Sequence, residues 1–150
     1  MKILFVGIAC FSILAFTSCE KDSDDSLTKS EILTANDWQL NGATVDPPVS
    51  LNGTPESNLF LFLQECNKDD EWRFEADGSF REIYNVTCGG QGDHFSATWN
   101  LNDDESKIII TGSQISEFDL ISIEEDKIVV GTDKGYFGQP DYYYTIEYIK

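Results

Sequence analysis

Few side chains in this sequence are of types that make or break bonds, and their spacing restricts them further. Four cysteines, Cys10, Cys19, Cys66 and Cys88, and a single histidine, His94, are its thiols and imidazole. His94 has Asp93 beside it, but no serine or cysteine stands with it in a nucleophile motif. A zinc site built on Cys66 and Cys88 would need two further ligands, and His94 is the one histidine on offer. Gly89, Gly90 and Gly92 form a glycine cluster, but no helix pattern follows to complete a phosphate cradle. Asp103, Asp104 and Glu105 sit together without the spacing of a calcium loop. This set points away from an enzyme and from a resident metal or cofactor, and toward binding.

Cys19 is a different case. Lys2 is the one charged side chain before it, residues 3–16 are an apolar run broken by Gly7 and Ser12, and the small residues Thr17 and Ser18 follow. That is the order of a positive n-region, an apolar h-region and a cleavage site. The run falls short of the ~20 apolar residues that a membrane-spanning helix needs. It is apolar on every face, unlike a helix packed on a soluble core. Phe16-Thr17-Ser18-Cys19 resembles a bacterial lipoprotein cleavage site, with Phe16 where an aliphatic residue is usual. The resemblance implies removal of residues 1–18, Cys10 among them, and lipidation of the Cys19 thiol. Palmitate-type acyl chains contribute ~0.8 kcal/mol per buried CH₂ and would hold the protein on a membrane.

Residues 19–27 read as an acidic tether. Glu20-Lys21-Asp22-Ser23-Asp24-Asp25 offers nothing that could enter a core. It resembles the signal that carries some lipoproteins to the outer face of the outer membrane. The expected localisation is therefore the outer membrane, lipid-anchored, facing the cell surface or the periplasm. Asp25-Ser26-Leu27 resembles an O-glycosylation tripeptide. Beyond the tether, residues 28–150 are of a size for one domain. With 27 acidic and 10 basic side chains the chain carries a formal charge of −17. Such a surface repels nucleic acid and anionic lipid and keeps a tethered domain soluble.

Thr28-Lys29-Ser30-Glu31 is a capping box and predicts a short helix over residues 30–35. A strand over 38–45 follows, which Asp46-Pro47-Pro48 is expected to stop. Residues 49–57 read as a loop. Residues 58–64 are apolar on both faces and read better as a short helix than as a strand. From Glu71 the alternation is plain. Trp72, Phe74 and Ala76 share one face, Asp77-Gly78 turns, and Phe80, Glu82, Tyr84 and Val86 share the face of the next strand. Phe95, Ala97, Trp99 and Leu101 alternate with polar residues. Strands over 107–111, 117–123 and 127–132 and a last one over 142–149 complete the chain. Tyr142, Tyr144, Ile146 and Tyr148 share a face of the last. Eight short strands joined mainly by turns predict an all-β protein, an antiparallel up-and-down barrel with one or two short helices.

An ordered set of short motifs carries a family resemblance. Leu27-Thr28, Leu33-Thr34, Trp38-Gln39-Leu40 and Cys66-Asn67-Lys68-Asp69 come first. Phe74-Glu75-Ala76-Asp77-Gly78-Ser79-Phe80, Cys88 and Thr98-Trp99-Asn100-Leu101 follow. Together they resemble the lipocalin-like domain of small bacterial lipoproteins. The resemblance implies an eight-stranded barrel, a Cys66–Cys88 disulfide and an outer-membrane anchor, and it transfers no catalytic or ligand residue. An exported, oxidising setting favours the same bridge. Rings expected inside the barrel include Trp38, Phe80, Phe118 and Tyr148, together with the candidate ligand contacts Trp72, Phe74, Phe95, Trp99 and Tyr144. Such rings can line a pocket for a small hydrophobic ligand, or fill the barrel and leave a structural or protein-interaction lipoprotein. A monomer is expected in either case.

Cys19→Ser is expected to move the protein from the membrane fraction to the soluble fraction. Intact-mass measurement should show acyl chains on Cys19 in the wild type. Unchanged membrane association of the Ser variant would refute the anchor.

Overall fold

In a computed structural model of the chain, residues 26–86, 94–133 and 141–150 are described. The leader with Cys19, the tether through Asp25, Cys88 with its glycine cluster, and the loop around Pro140 lie outside the described residues.

Each strand follows from its alternation. Among the described residues nine strands form a single antiparallel sheet. They are β1 (Asp37–Leu51), β2 (Thr54–Asn58), β3 (Glu71–Phe74), β4 (Ser79–Ile83), β5 (His94–Leu101), β6 (Lys107–Thr111), β7 (Ile115–Glu124), β8 (Lys127–Thr132) and β9 (Tyr143–Ile149). Each strand from β3 to β8 pairs with the next, and β1 pairs with both β3 and β9. That pairing closes β1 and β3–β9 into the expected eight-stranded barrel. β2 hangs on the far half of β1 as a ninth strand.

β1 is where sequence and structure differ most. Pro47 and Pro48 do not stop it. They sit where its register against β2 slips between Thr44 and Val49, so the ladder asks no N–H of them. Residues 49–57, expected to be a loop, are the end of β1 and a hairpin partner. Asn52 and Gly53 turn it with φ of 53° and 84°, the paired positive values of a type I′ turn. Asn-Gly is the sequence signal for that turn. β4 ends at Ile83 rather than Val86. Of residues 58–64, expected to be a helix, Asn58 ends β2 and Phe60–Phe62 form a 3₁₀ turn, and the helix α2 (Glu65–Lys68) follows.

The helix α1 (Lys29–Ala35) starts as its capping box predicts. Glu31 N–H donates to Thr28 Oγ1 at 3.2 Å, and Thr28 N–H donates to Glu31 Oε2 at 2.8 Å. The helix lies across one end of the barrel and drops Leu33 into the core with no exposed surface. Trp38 Nε1 donates to the Leu33 carbonyl at 2.9 Å, so the first ring of β1 also ends the helix. Lys29 Nζ reaches the Glu105 carbonyl at 2.7 Å, which ties α1 to the β5–β6 turn.

The core is built mainly of rings at this closed end. Phe74 packs edge-on to Trp99 with centroids 5.1 Å apart, and against Phe80 at 5.2 Å. Trp72 stacks on Tyr148 at 4.4 Å and meets Phe118 edge-on at 5.1 Å. Pairs of this kind add ~0.5–1.5 kcal/mol each beyond the area they bury. Ile108, Ile128 and Val130 close the gaps with no exposed surface. Two bulges set which residues face in. The register slips between Leu40 and Gly42 in β1, so Trp38 and Leu40 point in and then Ala43 and Val45 do. A second slip between Leu120 and Ser122 turns Ile121 out, 52% exposed.

Trp99 is buried, and its Nε1 donates to the Glu75 carbonyl at 3.0 Å. Trp99→Ala is expected to cost about 3–5 kcal/mol in urea unfolding, the range for an aromatic core truncation. A loss below ~1 kcal/mol would mean that the site collapses around the missing ring.

Candidate functional site

The barrel interior changes character along its axis. Toward α1 it is solid. Toward the opposite end it holds two cavities, each partly open to solvent, of about 80 Å³ and 190 Å³. Both are lined by Trp72, Glu82 and Thr132, so these three side chains stand between the two spaces. The smaller cavity is walled by Leu40, Leu59, Tyr144, Ile146 and Tyr148. The larger is walled by Phe80, Phe95, Ile110 and Phe118.

Local structure explains how each wall arises. Leu59 follows the β2 hairpin and is pinned by its N–H donating to the Ala43 carbonyl at 2.9 Å. There it packs with Val45 and Tyr144 as a second small core. Phe95 enters the larger cavity because Gly112 on the facing turn has no side chain. A Cβ at Gly112 would stand 2.6 Å from the Phe95 ring. Asp70 is delivered by the turn after α2. Leu40 N–H donates to its carbonyl at 3.2 Å, and Asn85 Nδ2 donates to the Asp69 carbonyl at 2.7 Å.

The five candidate ligand contacts divide. Trp72 and Tyr144 line the smaller cavity, and Trp72 and Phe95 the larger. Phe74 and Trp99 line neither. Strand alternation put them on the same face as Trp72 and Phe95, but they stand nearer α1, where the rings meet and leave no space. His94 opens β5 on the exposed side. The Asp103–Glu105 segment is a turn in which Asp104 Oδ1 accepts from Ser106 Oγ at 2.7 Å and Ser106 N–H at 3.2 Å. No cluster suited to a metal occurs among the described residues.

Two carboxylates in the smaller cavity were not singled out from sequence. Glu82 projects inward between Phe80 and Tyr84, as the alternation of β4 requires. Its Oε1 accepts from Trp72 Nε1 at 3.2 Å and its Oε2 from the Tyr84 hydroxyl at 3.3 Å. Burial pushes its pKa up, and those two hydrogen bonds pull it partly back. Asp70 is pushed up to about 6, first by burial and then by the charges of Glu82 and Asp69. Its Oδ1 is buried with no hydrogen-bond partner among the described residues. The signal for Glu82 was present, a charge at an inward position of a strand. For Asp70 there was none, because a long-range fold contact places it.

The family follows from a match of residues 33–130 to the lipocalin-like domain model. The chain belongs to that lipocalin-like family. Structurally it is similar to odorant-binding protein from bovine nasal mucosa. The complex of that protein with undecanal shares 15% sequence identity and a TM-score of 0.48, over 83% of this chain and 74% of that one. A deswapped triple mutant of the bovine protein gives 15% identity and a TM-score of 0.45, over 77% and 72% of the two chains. No curated protein matches the sequence.

The raised Asp70 pKa has a sign that can be tested. Unfolded, the group titrates near ~3.9. Folded, it holds its proton up to about 6. Its favourable contribution is therefore complete below the unfolded value and is lost as pH rises through the folded one. The stability of wild type minus that of Asp70→Asn should fall between pH 4 and pH 7 in urea titrations. A difference that is flat with pH would refute the placement of Asp70.

Proposed function

We propose that the protein is a lipid-anchored lipoprotein of the outer membrane whose barrel holds one small hydrophobic ligand. The observation that carries the reading is the paired cavity at the end of the barrel away from α1, walled by Trp72, Tyr144, Tyr148 and Phe95. A barrel of eight strands is just wide enough for one such ligand. Apolar walls with a few polar groups are the usual composition of a ligand site. Each cavity is below the ~300 Å³ of a drug-sized pocket, so the ligand is small. Barrel closure leaves β2 as the edge of the sheet, and its Pro55 blunts that edge, which supports a monomer. The anchor rests on the lipoprotein-like segment ending at Cys19, and the acidic tether supports the outer-membrane destination. We place a Cys66–Cys88 bridge in the same picture, supported by the oxidising compartment that export implies.

A protein-interaction role with no ligand is the second reading. It is favoured by the solid half of the barrel and by Leu61 and Phe62, which are 67% and 55% exposed on the segment before α2. The two readings separate by titrating the purified protein with the neutral apolar fluorophore N-phenyl-1-naphthylamine. Saturable uptake that Tyr144→Ala weakens is the expected result. No saturable uptake would favour the interaction reading.

A further inference from the structure

We propose that the smaller cavity selects a small amphiphile with a cationic head, an alkyl or arylalkyl ammonium seated between Asp70 and Glu82. The inference rests on the ligand-binding reading above and names the class of ligand.

The smaller cavity is apolar over most of its wall, yet two carboxyl groups, from β4 and from the entry to β3, share it. Among the described residues neither makes a salt bridge, and no lysine or arginine lines either cavity. Burial in this space makes both groups resist ionisation, and at Asp70 the charge of Glu82 adds to the effect. A bound cation reverses both effects at once, since it neutralises the pair and replaces the lost water. A neutral ligand does neither, and an anionic one adds to the repulsion.

The available atoms fit such a head group. Both Glu82 oxygens accept from Trp72 and Tyr84, which holds the carboxylate as an acceptor. Asp70 Oδ1 is a buried acceptor with no donor among the described residues. An ammonium supplies donors and no acceptor, so it complements this arrangement, whereas a carboxylate head would leave Asp70 Oδ1 unmet. Trp72, Tyr144 and Tyr148 present rings in the same cavity. Ring faces attract a cation while tolerating a hydrocarbon tail.

The test compares heads on one tail. Octylamine, 1-octanol and octanoate are titrated into the purified protein by isothermal calorimetry at pH 7. Octylamine is expected to bind about tenfold or more tighter than 1-octanol, and octanoate weakest, as for a charge pair in a desolvated site. Glu82→Gln keeps an acceptor for Trp72 and removes the charge. It and Asp70→Asn should each weaken octylamine about tenfold more than they weaken 1-octanol. Equal binding of octylamine and 1-octanol would overturn this inference and leave the ligand-binding reading standing. No binding by any of the three, with no uptake of N-phenyl-1-naphthylamine, would overturn both.

Discussion

The structure depends on the pairing of β1 with β9. Gln39 to Asp46 of β1 lie against Ile149 to Tyr143 of β9, and this ladder joins the first strand to the last. Without it the sheet would be an open meander with two long edges, a form prone to pairing with other chains. With it, the inward side chains of the core are enclosed, and the barrel acquires an inside with a fixed radius. The same β1 carries Trp38, which completes the end of α1, and it carries the β2 hairpin at its other end. One strand thus ties the plug at one end to the hairpin and Leu59 at the other.

That enclosed volume is used unequally. Near α1 the inward positions hold Trp38, Phe74, Phe80 and Trp99, and large rings on facing strands exhaust the space. Toward the other end the inward positions become Ala43, Thr132, Tyr144 and Ile146, smaller on average, and a polar Glu82 replaces an apolar side chain. The taper from large to small is enough to leave space, with no need for a wider barrel. The ring cluster supplies packing, and the residues around Tyr144 and Glu82 leave open space.

Much of this was legible in the sequence, for a physical reason. A side-chain period of two marks each strand wherever one face is buried and the other wet, as in Trp72, Phe74 and Phe80, or Tyr144, Ile146 and Tyr148. The Thr28–Glu31 box and the Asp77-Gly78 turn are local chemistry and read correctly. What was not legible depends on distant contacts. Phe74 and Phe95 occupy equivalent inward positions, and only their height in the barrel makes one core and the other wall. The bulges at Asn41 and Ile121 change which parity faces inward without a distinctive residue to announce them. Pro47 and Pro48 appear to forbid a strand, but they do so only where the ladder needs their N–H. Asn52-Gly53 is the opposite kind of miss, a local signal whose partner strand was too polar to recognise.

The interior carboxylates bear most directly on why the barrel is hollow at one end. Glu82 is a poor choice for stability, since its burial opposes ionisation and two hydrogen bonds only partly compensate. An apolar side chain at the same inward position would extend the ring cluster of Trp72, Phe80 and Phe118 and shrink both cavities. Asp70, set against the same space, raises the cost further through like-charge repulsion. Strain of this sort persists where surrounding structure holds the groups in place, and here Trp72 does so from one side and the Leu40–Asp70 backbone contact from the other. The protein has many acidic side chains that stand in water at little cost. Two of them, Glu82 and Asp70, stand instead in a nearly apolar chamber beside unfilled volume, where each resists ionisation.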